Sequence, residues 1–425
     1  MKLVVENIKE ITGETNVPSS KSHTIRGFIF ASLAKGKSTL KNTLESEDTK
    51  AALNACRSLG AEIIRIGEGE YEIIGFNGCP NVKNTKINTL NSGTTTNLIS
   101  SVAALANRKI IIDGDDSIRK RPIQPLLVAL KNLGAEVRSI NKNGCPPIEI
   151  KGKLIGGKTI LDCISSQYLS SLLITCPLLD QNTEIEILNV CEIPYIEMTL
   201  RWLDELCVNY EKKDYENILI YGNQKYSAFQ KTIPSDWSSA TFLLVAAAMI
   251  GKQVIIKGLD INDTQADKLV LNHLKEMGAK IKINGQKIIV NKSQLRGCKL
   301  DLNNTPDALP SIAILGCFAE GKTVIKNVAH ARIKETDRIK AMTMELSKMG
   351  AEVYETDDGM ILERSELKGT KLNGYNDHRI VMALSLAGLI AKGKTEINTA
   401  EAIKVTFPNY IEVMNYLGAN MRMEV

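Results

Sequence analysis

The stretch KEMGAKIKINGQKIIV, residues 275–290, decides the fold. Its first part closes a helical run at Met277-Gly278-Ala279, where glycine can end a helix in the left-handed conformation. Its second part, Lys280 to Ile283 and Lys287 to Val290, is rich in β-branched residues and predicts a short hairpin. The same tripeptide returns as Leu59-Gly60-Ala61, Leu133-Gly134-Ala135, Met349-Gly350-Ala351 and Leu417-Gly418-Ala419, with Leu206-Cys207-Val208 as a degraded copy. The middle residues are 74, 73, 71, 72 and 68 positions apart, so the chain is built from six copies of one unit.

Around each tripeptide the reading is the same. A small-residue apolar helix, for example Ser311 to Ala319, ends at a turn such as Gly36-Lys37, Asn107-Arg108-Lys109, Gly251-Lys252, Gly321-Lys322 or Gly393-Lys394. A β-branched strand follows, such as Lys109 to Ile112 or Val254 to Ile256, then a polar loop, an amphipathic helix and the hairpin. The first helices read SSVAALA, FLLVAAAMI and ALSLAGLIA, almost without charge, and are therefore expected to be buried on all sides. Internal helices favour compact α/β globules over an open solenoid.

Length and composition set outer limits. The 425 residues suffice for two or three domains, and 44% hydrophobic with 24% charged residues is the make-up of an ordinary globular protein. The N-terminus lacks the apolar core of a signal peptide and no run of about 18 apolar residues occurs, which predicts a cytoplasmic location. Nine cysteines are scattered singly, without a CxxC pair, so buried free thiols are expected in place of a zinc site or disulfide framework. A net charge of +5 is dispersed and aromatics are 5%, which argues against a nucleic-acid surface.

The unusual polar residues gather in loops that lead into helices. HARIKETDR, His330 to Arg338, packs Arg332, Lys334, Glu335, Asp337 and Arg338 ahead of Ile339, Met342, Leu346 and Met349, which have helical spacing. Cations beside a helix N-terminus suit a phosphate or carboxylate, and a glutamate among them is placed to move protons. SSKSHTIRG, Ser19 to Gly27, carries Lys21, Ser22 and Arg26; NSGTTTN, Asn91 to Asn97, carries Gly93, where a ligand can approach the backbone. DGDDSIRKRP, Asp113 to Pro122, brings Arg119, Lys120 and Arg121, and ISSQY brings Ser165, Ser166 and Gln167. TPDALP sets Asp307 at a helix start, as a cap or a base; NDHRI offers Asp377, His378 and Arg379, and IKVTFPNY offers Lys404. An isolated His378 is expected to be a core histidine. Gly152 to Thr159 fits the phosphate-loop pattern GxxxxGKT, but Lys158-Thr159 runs into Ile160 and Leu161 instead of opening a helix, so no nucleotide loop is expected.

Taken together and in order, PSSKSHTIR, RKRPIQPL, SSQYLSSLL, PDALPSIA, ARIKETDR and DHRIVMAL resemble the enolpyruvyl transferase family over essentially the whole chain. The resemblance implies two globular domains of three repeats each, with buried parallel helices in an inside-out α/β barrel. One domain would comprise residues 1–18 and 235–425, the other 19–234, with the active site in a cleft between them. It implies transfer of the enolpyruvyl group of phosphoenolpyruvate to the 5-hydroxyl of shikimate 3-phosphate by a monomer, without metal or organic cofactor. Lys21, Gly93, Arg121, Gln167, Arg338, Arg379 and Lys404 would hold phosphoenolpyruvate. Lys21, Ser22, Arg26, Ser165, Ser166, Gln167, Tyr195, Asp307, His330 and Lys334 would hold shikimate 3-phosphate. Asp307 would be the base, and Glu335 with Lys21 the proton donor.

The chain departs from the family pattern at Asn97 in place of an arginine, at Glu192 in place of a serine of the phosphate pocket, and at Val405 in place of a lysine. The alternatives are a diverged enolpyruvyl transferase with another hydroxyl acceptor and a non-catalytic repeat scaffold. The relative that acts on a UDP-amino sugar matches less well, because Ser22 follows Lys21 and the Asp113 to Arg121 loop has no cysteine.

Overall fold

The computed structural model describes residues 1–424, in which the chain divides into two compact units: Ser19–Ile233, and Met1–Pro18 together with the chain from Pro234 onward. The second crossing thus lies one residue ahead of the expected boundary. The fold is mixed α/β. Among the described residues its strands form six separate four-stranded sheets, and none closes into a barrel.

Each repeat makes one sheet by the same rule. In the 275–290 repeat, Gly251–Lys257 pairs parallel with Ile11–Asn16 and antiparallel with Lys287–Asn291, which closes a hairpin with Lys280–Asn284. The outer, parallel strand always comes from a different segment from the hairpin. For Lys37–Lys41 it is Gln230–Thr232, from the far end of the same unit, so the first and last segments of the 19–233 unit are joined in one sheet. Among the described residues the sixth repeat has one strand after its tripeptide, Met421–Glu424; the other hairpin position is filled by Lys2–Val5, paired antiparallel to both Thr395–Asn398 and Met421–Glu424.

The tripeptide glycines do what their chemistry allows. Gly60, Gly134, Gly278, Gly350 and Gly418 have φ of 116°, 109°, 92°, 87° and 107°, and in the degraded copy Cys207 is held in the left-handed region at 56°. The six first helices are Lys21–Leu33, Gly93–Ala103 and Ser166–Thr175 in one unit, and Trp237–Ile250, Leu309–Phe318 and His378–Ile390 in the other. Every residue of Trp237–Ile250 except Ser238 is buried, as the absence of charge requires. Full burial contributes about 1.5–3 kcal/mol for each Leu, Val or Phe side chain, so these helices are the main adhesive of each unit.

Five of the six are capped by a side chain: Ser20, Ser92, Ser165, Asp236 and Asp377 accept a backbone N–H of the first turn. Leu309–Phe318 is different. It lacks a side-chain cap and is preceded by the 3-10 turn Pro306–Ala308, which leaves the Asp307 carboxylate for other partners and excludes the capping role open to it in the sequence.

The Gly152–Thr159 stretch runs into the strand Gly157–Asp162, and no helix begins before Ser166, so it is not a phosphate loop. All nine cysteines are free. Cys56, Cys163, Cys176, Cys191 and Cys317 are buried, but Cys79 and Cys207 are exposed on turns, against the expectation that the thiols would be buried. No helix among the described residues is long and apolar enough to cross a membrane.

Candidate functional site

In the unit that includes Pro234 onward, the site is built around Arg338. The helix Arg338–Lys348 begins at this residue, with Asp337 as its cap, and the guanidinium is 1% exposed. Three carboxylates surround it. Asp377 takes Nε at 2.8 Å and Nη2 at 3.3 Å, Asp307 takes Nη1 at 2.7 Å, and Glu335 takes Nη2 at 2.5 Å. Burial alone would lower the arginine pKa, but the charges of Asp377, Glu335 and Asp307 prevail and hold it above the ordinary value. Arg379, the second residue of the helix His378–Ile390, reaches the other Asp307 oxygen with Nη2 at 2.9 Å. The base and acid candidates are thus both fixed to a buried guanidinium, and Asp307 is shared between two.

Asp377 was visible in the sequence only as part of NDHRI. It is fully buried and does two things: it caps its helix by accepting the Arg379 N–H at 2.9 Å and it grips Arg338 from two directions. Behind this pair, buried Glu345 ties the same two elements together, accepting from the Asn373 N–H at 2.9 Å and the Tyr375 hydroxyl at 2.8 Å. Of the charges in HARIKETDR, Arg332 turns away to Glu355, Asp337 and the Asp357 and Thr356 carbonyls, a structural clasp on the neighbouring hairpin. His330 lies in the 3-10 turn Ala329–Ile333 and Lys334 follows it, both partly buried. His378 is buried beside Asp377, its Nδ1 3.9 Å away. Lys404 is exposed on the 3-10 turn Ala400–Val405, and the adjacent Val405 is buried.

The 19–233 unit carries a second set at the starts of its buried helices. Lys21 begins its helix and lies 3.2 Å from Asp48, a buried carboxylate in the first turn of Glu47–Leu59. One turn on, Arg26 is 1% exposed and donates to Thr199 Oγ1 at 2.9 Å, the Ser22 carbonyl at 3.2 Å, and Ser170 Oγ and the Tyr195 carbonyl at 3.3 Å. These acceptors are uncharged, and desolvation pushes its pKa down to about 10. A cation so buried among neutral groups gains from an arriving anion.

Ser165 caps Ser166–Thr175 through the Gln167 N–H, and Ser166 donates both its N–H, at 3.3 Å, and its hydroxyl, at 2.7 Å, to Glu192. Glu192 is 2% exposed, with φ of 53°, at the start of Ile193–Glu205, the helix that carries Tyr195. Its carboxylate therefore occupies a donor expected to serve a phosphate. Gln167 receives the Asn97 amide at 2.7 Å and donates to Thr94 at 3.2 Å. Arg121 donates to Asn91 Oδ1 at 2.8 Å and Ser117 Oγ at 2.9 Å, and its Nη1 sits where a Cβ on Gly93 would come within 2.7 Å. Of the three adjacent cations only Arg121 takes this place, since Arg119 is tied to Asp113 at the surface.

Sequence reasoning missed Asp48, Thr199 and Ser170 as partners. Asp48 sits in ESEDT, which reads as an ordinary acidic helix start, and the other two are small polar residues within helices, Ser170 beside Ser171 in Ser166–Thr175 and Thr199 in the amphipathic Ile193–Glu205.

Chemically, the first set is a pair of guanidiniums with carboxylates poised at them, and the second a group of cations, hydroxyls and backbone N–H groups suited to polyanionic ligands. Comparison with known proteins agrees with this chemistry. The model of the EPSP synthase (3-phosphoshikimate 1-carboxyvinyltransferase) family matches residues 5–414. A 3-phosphoshikimate 1-carboxyvinyltransferase of Acetivibrio thermocellus is 47% identical over 410 residues, 96% of this chain and 97% of that protein. Proteins of the same name from Ruminiclostridium cellulolyticum and Methanocaldococcus jannaschii are 44% and 42% identical over 97% and 99% of this chain. The solved structure of an EPSP synthase from Acinetobacter baumannii superposes with a TM-score of 0.83 at 28% identity, covering 100% of both chains.

Proposed function

The chain belongs to the EPSP synthase family, the 3-phosphoshikimate 1-carboxyvinyltransferases, and from that premise we propose that it transfers the enolpyruvyl group of phosphoenolpyruvate to the 5-hydroxyl of shikimate 3-phosphate, releasing phosphate on the route to chorismate and aromatic amino acids. The observation that carries the reading is the buried constellation in which Arg338 holds Asp307 and Glu335 at 2.7 and 2.5 Å.

Asp307 takes the proton of the attacking 5-hydroxyl as its oxygen bonds to C2 of phosphoenolpyruvate. Glu335, with Lys21, gives a proton to the C3 methylene, and the product of this addition is a tetrahedral intermediate. In the second step a proton leaves the new methyl group, the double bond reforms and phosphate departs from C2, with acid and base in exchanged roles. Arg338, Arg379, Arg121, Lys21, Gln167 and the backbone at Gly93 hold phosphoenolpyruvate, with Lys404 at the rim. Lys21, Ser22, Arg26, Ser165, Ser166, Gln167, Tyr195, Asp307, His330 and Lys334 hold shikimate 3-phosphate. The enzyme works as a cytoplasmic monomer with no metal or organic cofactor.

The test is phosphate release from phosphoenolpyruvate with shikimate 3-phosphate, shikimate or a UDP-amino sugar offered in parallel. Release with shikimate 3-phosphate alone is expected. Asp307→Ala and Glu335→Ala should each lose turnover, by roughly 10²–10⁴-fold, with an unchanged circular dichroism spectrum. Full activity in either variant, or release with another acceptor only, overturns the assignment.

A further inference from the structure

The Asp307 carboxylate is held from two sides, by Arg338 at one oxygen and by Arg379 at the other. What keeps the turn in place starts at Thr305. This residue is fully buried; its N–H donates to the Leu302 carbonyl at 3.0 Å and its carbonyl accepts from the Ala308 N–H at 3.0 Å, so the turn Pro306–Ala308 pivots on it. Its hydroxyl lies 3.2 Å from Nε2 of His273, a buried residue of the helix Val270–Glu276. That bond ties the turn to an element that contributes nothing else to the site. Either tautomer of a neutral imidazole can make it, since a hydroxyl donates and accepts. Glu276 on the same helix and Asp301 at the end of Lys299–Asp301 both favour protonation of His273, yet desolvation outweighs them and the ring is held neutral.

We propose that His273 is a positioning residue for the reaction: through the Thr305 hydroxyl it fixes the turn on which Asp307 is aimed. The proposal rests on the reading of Asp307 as the base. A reacting group displaced by an ångström loses up to about a hundredfold in rate.

The experiment compares His273→Leu, His273→Gln, Thr305→Val and Thr305→Ser in kcat and in KM for both substrates. His273→Leu and Thr305→Val should each lower kcat on the order of tenfold with both KM values within about twofold, and His273→Gln and Thr305→Ser, which keep a polar partner, should restore most of it. The double variant His273→Leu/Thr305→Val should be no slower than the slower single one. Placed on Asp307→Ala, His273→Leu should cost nothing further. An unchanged kcat in His273→Leu, a loss confined to KM, additive losses in the double variant, or the same loss on Asp307→Ala would each overturn the proposal. If His273→Leu does not fold, Thr305→Val and its serine counterpart decide alone. Full activity of Asp307→Ala by itself would instead remove the base assignment, so the two failures are distinguishable.

Discussion

Replacing Asp377 with asparagine tests whether Arg338 is held by charge or by shape. Asparagine matches the aspartate in outline and can still cap its helix by accepting the Arg379 N–H. It cannot keep both bonds to Arg338, because one of its two terminal atoms is an NH₂ facing a guanidinium N–H. A charge-assisted hydrogen bond contributes about 1.5–3 kcal/mol and a neutral one about 1 kcal/mol, so one lost and one weakened bond cost about 2–5 kcal/mol. Asp307 and Glu335 still neutralise Arg338, so the cost should fall toward the lower end of that range and not reach the full roughly 3–5 kcal/mol of an orphaned buried charge. Asp377→Ala should lose about 1 kcal/mol more, for the cap.

The chain has two tryptophans, Trp237 in the unit of Asp377 and Trp202 in the other, so urea unfolding followed by fluorescence in a Trp202→Phe background reports the unit in question. A loss below about 0.5 kcal/mol for Asp377→Asn, the ordinary scatter of a surface change, would refute the reasoning, as would an asparagine variant no more stable than the alanine one.

Three further outcomes are expected. Gly93→Ala places a methyl group 2.7 Å from Nη1 of Arg121 and so displaces that guanidinium; the KM for phosphoenolpyruvate should rise roughly tenfold or more, for the loss of one charge-assisted bond, with a thermal midpoint close to wild type. Glu192→Gln removes a buried negative charge beside Ser166, and the KM for shikimate 3-phosphate should fall several-fold, on the order of 1 kcal/mol; a rise would show that the carboxylate aids binding. His273 is held neutral by burial below its ordinary value of 6.5, so the unfolded chain takes up its proton first as pH falls. The stability it contributes is complete above that ordinary value and is lost below it, so denaturation midpoints at about pH 8 and about pH 5 should differ more in wild type than in His273→Gln.

Much of the architecture was legible because glycine is nearly irreplaceable at a left-handed helix end. The interval between Gly60, Gly134, Gly278, Gly350 and Gly418 is thus written into the sequence, and even Cys207 keeps the conformation after the glycine is gone. Pairing between distant segments was not legible. Nothing local in Lys2–Val5 says that it completes the sixth sheet, and nothing in Gln230–Thr232 says that it completes the first, since a strand's own pattern specifies which face is buried but not its neighbour.

The site divides in the same way. Charged residues at helix starts could be picked out one by one, whereas the convergence of Asp307, Glu335 and Asp377 on Arg338 depends on three turns being brought together by packing. Asp377 was obscured because its capping role accounts for an aspartate before a helix. Arg332 and Arg338 have the same chemistry six residues apart, and only burial of the latter's helix start separates the clasp from the site.

The strand Lys2–Val5 is synthesised long before its neighbours, Thr395–Asn398 and Met421–Glu424. The Ser19–Ile233 unit has all its strands once Thr232 has emerged and can fold while translation continues. Leu3, Val4, Val5 and Ile11, all buried in the finished protein, then wait for about 190 more residues, which at 5–20 residues per second is roughly 10–40 s. Through that interval a short apolar segment hangs from an already folded body with its backbone unpaired, the state in which strands aggregate or attract chaperones. Moving residues 1–18 to the C-terminus by circular permutation would shorten the wait to almost nothing.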